Sequence, residues 1–421
     1  MKFSKILPLA LCISLMAGCS NNNEPDKDTE SKDIVTEITE PVEITFWHAM
    51  NGDLEKSLQE LTDAFMKDNE NITVTLQNQS SYADLQQKLA STVASPANLP
   101  TLTQSYVDWL YGPIQDGLVT NLKPYIENET IAFDNYDDVI PSLREASAIE
   151  DGIYGIPFNK STEVLYYNKT LLDELGLKAP TNYEELASVS KEIKDKKGIT
   201  GAGFDVLSTY YTTYLKDKGV VYDDAFDPTI DESMEAIQYY LDGVNDGYFR
   251  IAGTDKYLSG PFGSETLGMY IGSNGGESFA LMAVDDKFEV GVAPSPTGSS
   301  LQQGTDLFIF DSASMEQKTA AFEYMKYLTT TDSQIKWAKD TGYMPVRTSA
   351  VESDEYKNSG SLVAPILSDV SANLYSNPVL RGADSAYREA GTVLEGVLAD
   401  TSTDAKESLN SFKNTLMSIW E

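Results

Sequence analysis

A chain with one histidine, and with no cysteine beyond residue 19, has few routes to covalent chemistry. His48, next to Trp47 in "ITFWHAM", is that single imidazole, so a His-dependent triad or a multi-His metal site has at most one candidate member. Cys12 and Cys19 are the only thiols, which removes Cys nucleophiles, disulfides and Cys-based zinc sites from the body of the protein. There is no G-x-S-x-G elbow, no Walker A sequence and no H-E-x-x-H pair. The 65 acidic residues could in principle supply a carboxylate pair for glycoside hydrolysis, but no pair is set apart by its surroundings. The acidic run "VYDDAFDPTIDES" reads as a solvated loop and lacks the spacing of an EF-hand. No catalytic residue, metal site or cofactor is expected, and His48 is better explained as a hydrogen-bonded residue at a strand end.

Chemistry suited to reversible binding is more plentiful. Tyrosine occurs 24 times, densely at Tyr166-Tyr167, Tyr210-Tyr211 and Tyr214, and Trp47 and Trp109 add larger rings. A tyrosine joins a flat apolar face to a hydroxyl, which suits polyhydroxylated ligands. In "GIPFNKSTEVLYYNK", residues 155–169, Ser161 and Thr162 have no neighbouring base and are poor nucleophiles. The stretch reads as a crossover through Gly155 and Pro157, then a polar loop offering Ser161 to a cleft. A strand follows, with Tyr166 and Tyr167 on opposite faces.

The elements that must position these groups follow an alternating pattern. Val42, Ile44 and Phe46 alternate as in a strand, and a helix from about Asp53 carries Leu54, Leu58, Leu61 and Phe65 on one face. A second strand is expected at 72–77 and a second helix in "YADLQQKLASTVAS". Thr181 with Glu184, and Thr229 with Glu232, have capping-box spacing. Strands in "ETLGMYIGS", "FEVGVAPSP" and "TDLFIFD", then helices through Phe322 and Phe412, complete an α/β layer pattern. At 421 residues the chain is too long for one hydrophobic core. It has no long linker, so two lobes joined by short crossovers are expected rather than separate domains.

The first nineteen residues read as a leader: Lys2 and Lys5, an apolar run from Ile6 to Met16, then Ala17-Gly18-Cys19. That run is too short to span a membrane. It is similar to a bacterial lipoprotein signal, in which Cys19 would become the lipid-bearing first residue. The polar segment that follows, 20–41, reads as a disordered tether. The formal charge of -34 argues against nucleic acid as a partner.

The segments "ITFWHAM", "PFNKSTEVLYYNK", "TNYEELA" and "TGYMPV" resemble the extracellular solute-binding proteins of bacterial ABC importers, most closely the sn-glycerol-3-phosphate-binding branch. The resemblance runs from about Val42 to the C-terminus. It implies a two-lobed, periplasmic-binding-protein-like α/β fold of type II with an interlobe cleft, hinge closure and a membrane permease as partner. Lobe 1 would comprise 42–155 plus 308–340, and lobe 2 would comprise 156–307 plus 341–421. The implied role is that of a monomeric, lipid-anchored receptor at the outer face of the cytoplasmic membrane. Its ligand would be glycerol-3-phosphate or a glycerophosphodiester, with a neutral sugar or oligosaccharide as the alternative. Matching the branch motif by motif gives Tyr82, Ser161, Ser273, Gly304, Tyr343 and Arg381 as ligand contacts, with Arg381 facing the phosphate. Trp47, His48, Asp108 and Tyr211 are further candidates. Where the branch has a Glu on the glycerol hydroxyls, "QSYVDWL" places Val107, with Asp108 beside it. Either Asp108 takes that role, or the polyol end is recognised differently.

Overall fold

A computed structural model describes residues 34–421. The leader and Cys19 lie outside the described residues, as does most of the segment read as a tether. In the part of that segment that is described, the Val35 carbonyl accepts from Thr319 Oγ1 at 2.6 Å and the Ile38 carbonyl from Asn71 Nδ2 at 3.1 Å. Residues 35–38 are therefore held against the body.

The chain begins with β1 (Val42–His48), α1 (Asp53–Asp68), β2 (Ile72–Asn78), α2 (Tyr82–Thr92) and β3 (Leu102–Ser105). Short helices and a small hairpin (Ala148–Ile149 with Gly152–Ile153) lead to β4 (Gly155–Ser161) and, after Thr162, β5 (Glu163–Asn168). After α3 (Tyr183–Lys197), α4 (Leu207–Asp217) and α5 (Asp231–Asn245) come β6 (Met269–Ser273), α6 (Glu277–Val284), β7 (Val290–Pro294) and β8 (Gln303–Ile309). The chain closes with α7 (Met315–Leu328), α8 (Thr331–Thr341), α9 (Ala383–Ala399) and α10 (Ala405–Trp420).

Two larger sheets result, one per lobe, beside two two-stranded ones. The first runs in the order β2-β1-β3-β8-β4, with β1 parallel to β2 and β3, and β8 antiparallel to both its neighbours. The second runs β6-β5-β7, antiparallel throughout. The apolar face of α1 buries Leu58, Leu61 and Phe65, and Phe65 meets Tyr324 of α7 at 5.0 Å between ring centroids. In the second lobe α9 and α10 pack Ala386, Ala390, Leu394, Leu409 and Phe412 into a core shared with α4.

The crossover expected at Gly155 falls elsewhere. All seven residues of β4 are buried, and β4 pairs with β8 in the first sheet, so the chain changes lobe at Ser161-Thr162. Likewise β8 enters the first sheet at Gln303 rather than at 308. Pro157 misled the reading because it sits on an edge strand beside a register shift at Thr305/Asp306, a place where a missing N–H costs little. The capping-box expectations also shift. Asn182, not Thr181, caps α3, accepting from Glu185 N at 2.9 Å. Thr229 does not cap α5 and instead donates to Asp227 at 2.7 Å.

The crossing strands are tied by a buried ion pair. Lys160 Nζ lies 2.9 Å from Asp306 Oδ1 with both side chains almost fully buried, and Ser147 donates to the same carboxylate. Removing either charge would leave the other unpaired in the core, a cost of about 3–5 kcal/mol.

Candidate ligand-binding site

Three crossings converge between the lobes: Ser161-Thr162, Gln302-Gln303 and Tyr343-Met344. Asn274, fully buried, staples two of them. Its Oδ1 accepts from Thr162 N and its Nδ2 donates to the Gly342 carbonyl, both at 2.8 Å. Met344 N donates to the Lys160 carbonyl at 2.9 Å. Beside these crossings Asn159 Nδ2 donates to the Tyr82 hydroxyl at 3.1 Å, and the Tyr343 hydroxyl faces both Tyr82 and Asn159. Tyr82, Tyr106 and Trp109 form a ring cluster with centroid separations of 5.0–6.2 Å. At the start of β8, Gln303 Nε2 donates to Thr209 Oγ1 of the second lobe at 3.1 Å, and Thr209 bonds the Tyr387 hydroxyl at 2.6 Å.

Several buried polar atoms in this seam have no hydrogen-bond partner among the described residues: Asp108 Oδ1, Trp109 Nε1, Asn159 Oδ1, Glu163 Oε1, Gln302 Oε1 and Ser376 Oγ. An unmatched buried polar atom carries a desolvation cost of about 1–3 kcal/mol, so a concentration of them facing one seam marks groups available to a ligand. Two cavities flank it. One, of about 480 Å³, lies between Tyr111, Glu145 and Ile149 and the segment Leu374 to Val379. The other, of about 390 Å³, is walled by Asp205, Tyr257, Tyr270, Phe279 and Tyr343.

The electrostatics are acidic. Burial, with Asp384 nearby, pushes the Asp108 carboxyl up to about 7. Burial, with Asp205 nearby, pushes Glu163 up to about 8, and burial raises Asp205 to about 6. Among the described residues, no Lys, Arg or His lines either cavity.

Residues 60–364 match the family described as bacterial extracellular solute-binding protein. The chain belongs to that family. As one of its members this solute-binding protein is the substrate-binding component of an ABC importer. The sn-glycerol-3-phosphate-binding periplasmic protein of Pectobacterium atrosepticum is 26% identical over 341 residues, 74% of each chain. The sugar-binding protein of Xanthomonas citri superposes with a TM-score of 0.79 at 20% identity, covering 90% of this chain and 97% of that one. A Mycobacterium tuberculosis protein solved with glycerophosphocholine gives 0.77 at 21% identity, covering 90% and 98%. These neighbours carry the two-lobed binding-protein fold expected from the sequence. Among the described residues, no helix is long and apolar enough to cross a membrane.

In this solute-binding protein the structure gathers Tyr82, Asp108 and Tyr343 at the seam and sets Ser161 at the first crossing. Gly304 belongs to the same layer, but its φ of +90° serves packing: a Cβ there would lie 2.0 Å from the Asn159 carbonyl oxygen. Ser273 lines the second cavity, where its hydroxyl accepts from Gly275 N at 3.2 Å. The remaining candidates are elsewhere. Tyr211 is fully buried in the second lobe, bonded to Ser233 at 2.7 Å, because the tyrosine-rich face of α4 is that lobe's core. Trp47 is buried, its indole donating to Gln77 at 2.8 Å under a Lys88 ammonium. His48 is buried, its Nδ1 accepting from Met50 N at 3.3 Å, and burial lowers its pKa to about 4, so it is a neutral structural group. Arg381 is exposed in the turn before α9. Asp384, three residues further on, is bound by Arg388 at 3.0 Å.

Sequence reasoning missed Asn159, Glu163, Asp205 and Asn274. Glu163 and Asp205 carried a signal, since each is a lone carboxylate among apolar neighbours, in "STEVLYY" and "GFDVL". Asn274 carried none, because its partners are more than sixty residues away.

Proposed function

We propose that this protein is a receptor for a sugar or short oligosaccharide without a phosphate group, held between the lobes and handed to the importer's permease. One observation carries the reading: among the described residues, the seam and its two cavities present carboxylates, amides and aromatic rings, with no Lys, Arg or His among the cavity walls. Carboxylates and amides match hydroxyls, and rings match the apolar faces of sugars. A phosphate needs a cationic fork or a set of backbone amides, and Arg381 is exposed outside both cavities. The sugar-binding neighbour from Xanthomonas citri supports the same choice.

A second reading, glycerol-3-phosphate or a glycerophosphodiester bound through Arg381, is favoured by the Pectobacterium and Mycobacterium relatives. Ligand identified by mass spectrometry in gently purified protein decides between them: a saccharide supports the first reading, a phosphorylated solute the second. The leader pattern supports export and a lipid anchor at Cys19, and the proposed receptor acts as a monomer at the outer face of the cytoplasmic membrane. Labelling with a radioactive fatty acid, lost in Cys19→Ser, tests the anchor.

A further inference from the structure

The cavity beside Tyr343 has a wall chemistry of its own. Tyr257 and Phe279 stand at its mouth with 66% and 65% of their surface exposed, although rings of that size are ordinarily buried. Tyr270 forms the floor, its position fixed by stacking on Tyr166 at 4.9 Å. Asp205 reaches in from the end of the segment beside β6, with Oδ1 held by Leu258 N at 2.6 Å. Its Oδ2 occupies space that exists only because residue 272 is glycine: a Cβ there would lie 2.7 Å from it. Behind it Glu163, at 5% exposure, keeps Oε1 unpartnered. The Asp205 carboxylate thus stands at one end of the cleft among aromatic faces, with the Glu163 carboxyl, which burial keeps protonated up to about pH 8, beside it and no cation on the walls among the described residues. Hydroxyls can donate to a carboxylate but leave its charge uncompensated. An ammonium group compensates it and is also attracted to the ring faces.

We infer that this cavity is a subsite for an organic ammonium group, primary or quaternary, carried by the transported solute. The inference rests on the reading of the cleft as the ligand site. It adds that the sugar carries an amine or a quaternary nitrogen at one end.

Matched probes test it on the intact protein by isothermal titration calorimetry: glucosamine against glucose, and choline against its uncharged isostere 3,3-dimethylbutan-1-ol. Each ammonium probe is expected to bind about tenfold or more tightly than its neutral partner. Glucosamine or choline as the better ligand separates the primary from the quaternary source. Asp205→Asn keeps the acceptor for Leu258 N and should abolish the preference. Phe279→Ala removes an exposed ring and should weaken the ammonium probes without lowering Tm. Equal binding of charged and neutral partners, or a preference that survives Asp205→Asn, overturns the inference and leaves the sugar reading standing. Ammonium binding with no saccharide binding overturns the sugar reading alone. Binding of none of the probes or saccharides overturns both.

Discussion

Gln86 in α2 of the first lobe and Arg388 in α9 of the second are hydrogen-bonded, the guanidinium donating to Gln86 Oε1 at 3.0 Å. Gln86 Nε2 in turn donates to Asp384 Oδ2 at 3.3 Å, so one amide bridges both members of the Asp384-Arg388 ion pair. Two lobes hinged at three crossings can open only by parting this contact. Gln86→Ala leaves the ion pair itself intact and removes about 1 kcal/mol from the closed arrangement. Ligand affinity, measured by calorimetry, should fall about fivefold, with the Tm of the ligand-free protein nearly unchanged. A large fall in that Tm would make Gln86 a folding residue instead.

Gly304 and Gly342 both have left-handed backbone, with φ of +90° and +77°, but only Gly304 is crowded. At Gly342 the nearest atom to an added Cβ is 3.7 Å away, against 2.0 Å at Gly304. Gly342→Ala should cost about 1 kcal/mol, the price of the conformation alone. Gly304→Ala should cost about 3 kcal/mol or more, because the hinge strands must also separate. Chemical denaturation of the two variants checks the order, and equal losses would contradict the packing account.

Glu163 sets a pH dependence whose sign is fixed. Its carboxyl titrates at about 8 in the fold against 4.5 ordinarily, through burial and then Asp205. Between those values the native state holds the proton more often than the unfolded chain, so stability declines as pH rises from about 4.5 to 8. Glu163→Gln has no such decline. The variant should gain on the order of 2 kcal/mol over the wild type at alkaline pH and almost nothing near pH 5. His48 works in the opposite window: its lowered pKa of about 4 means stability is lost as pH falls from 6.5 toward 4. Calorimetric Tm against pH for both proteins reads this directly, and a pH-independent difference would rule out the buried carboxylate as its cause.

The alternating strand at Val42 and the one-sided helix at Leu58 and Phe65 were legible because burial there follows a local period. The run Asn159 to Thr162 was not. Four polar residues in sequence read as a loop, yet they are buried in and beside a strand. Their partners are distant in the chain: Tyr82 for Asn159, Asp306 for Lys160, and Asn274 and Leu301 for Thr162. Pattern reading cannot anticipate polar groups satisfied across two lobes. Tyrosine density misled in the same way. Tyr210, Tyr211 and Tyr240 build the second lobe's core, while the rings at the seam, Tyr82, Tyr106 and Tyr343, are scattered singly along the sequence.

The central claim is that the cleft takes a saccharide through carboxylates, amides and rings, and that Arg381 takes no part. Titrating the wild type and Arg381→Ala in parallel with a saccharide panel and with glycerol-3-phosphate tests it most directly. The account predicts saturable saccharide binding that changes by less than about twofold in the variant, the scale of an exposed charge. Saturable binding of glycerol-3-phosphate alone, lost by about thirtyfold or more in Arg381→Ala as for a phosphate stripped of its guanidinium partner, would contradict it.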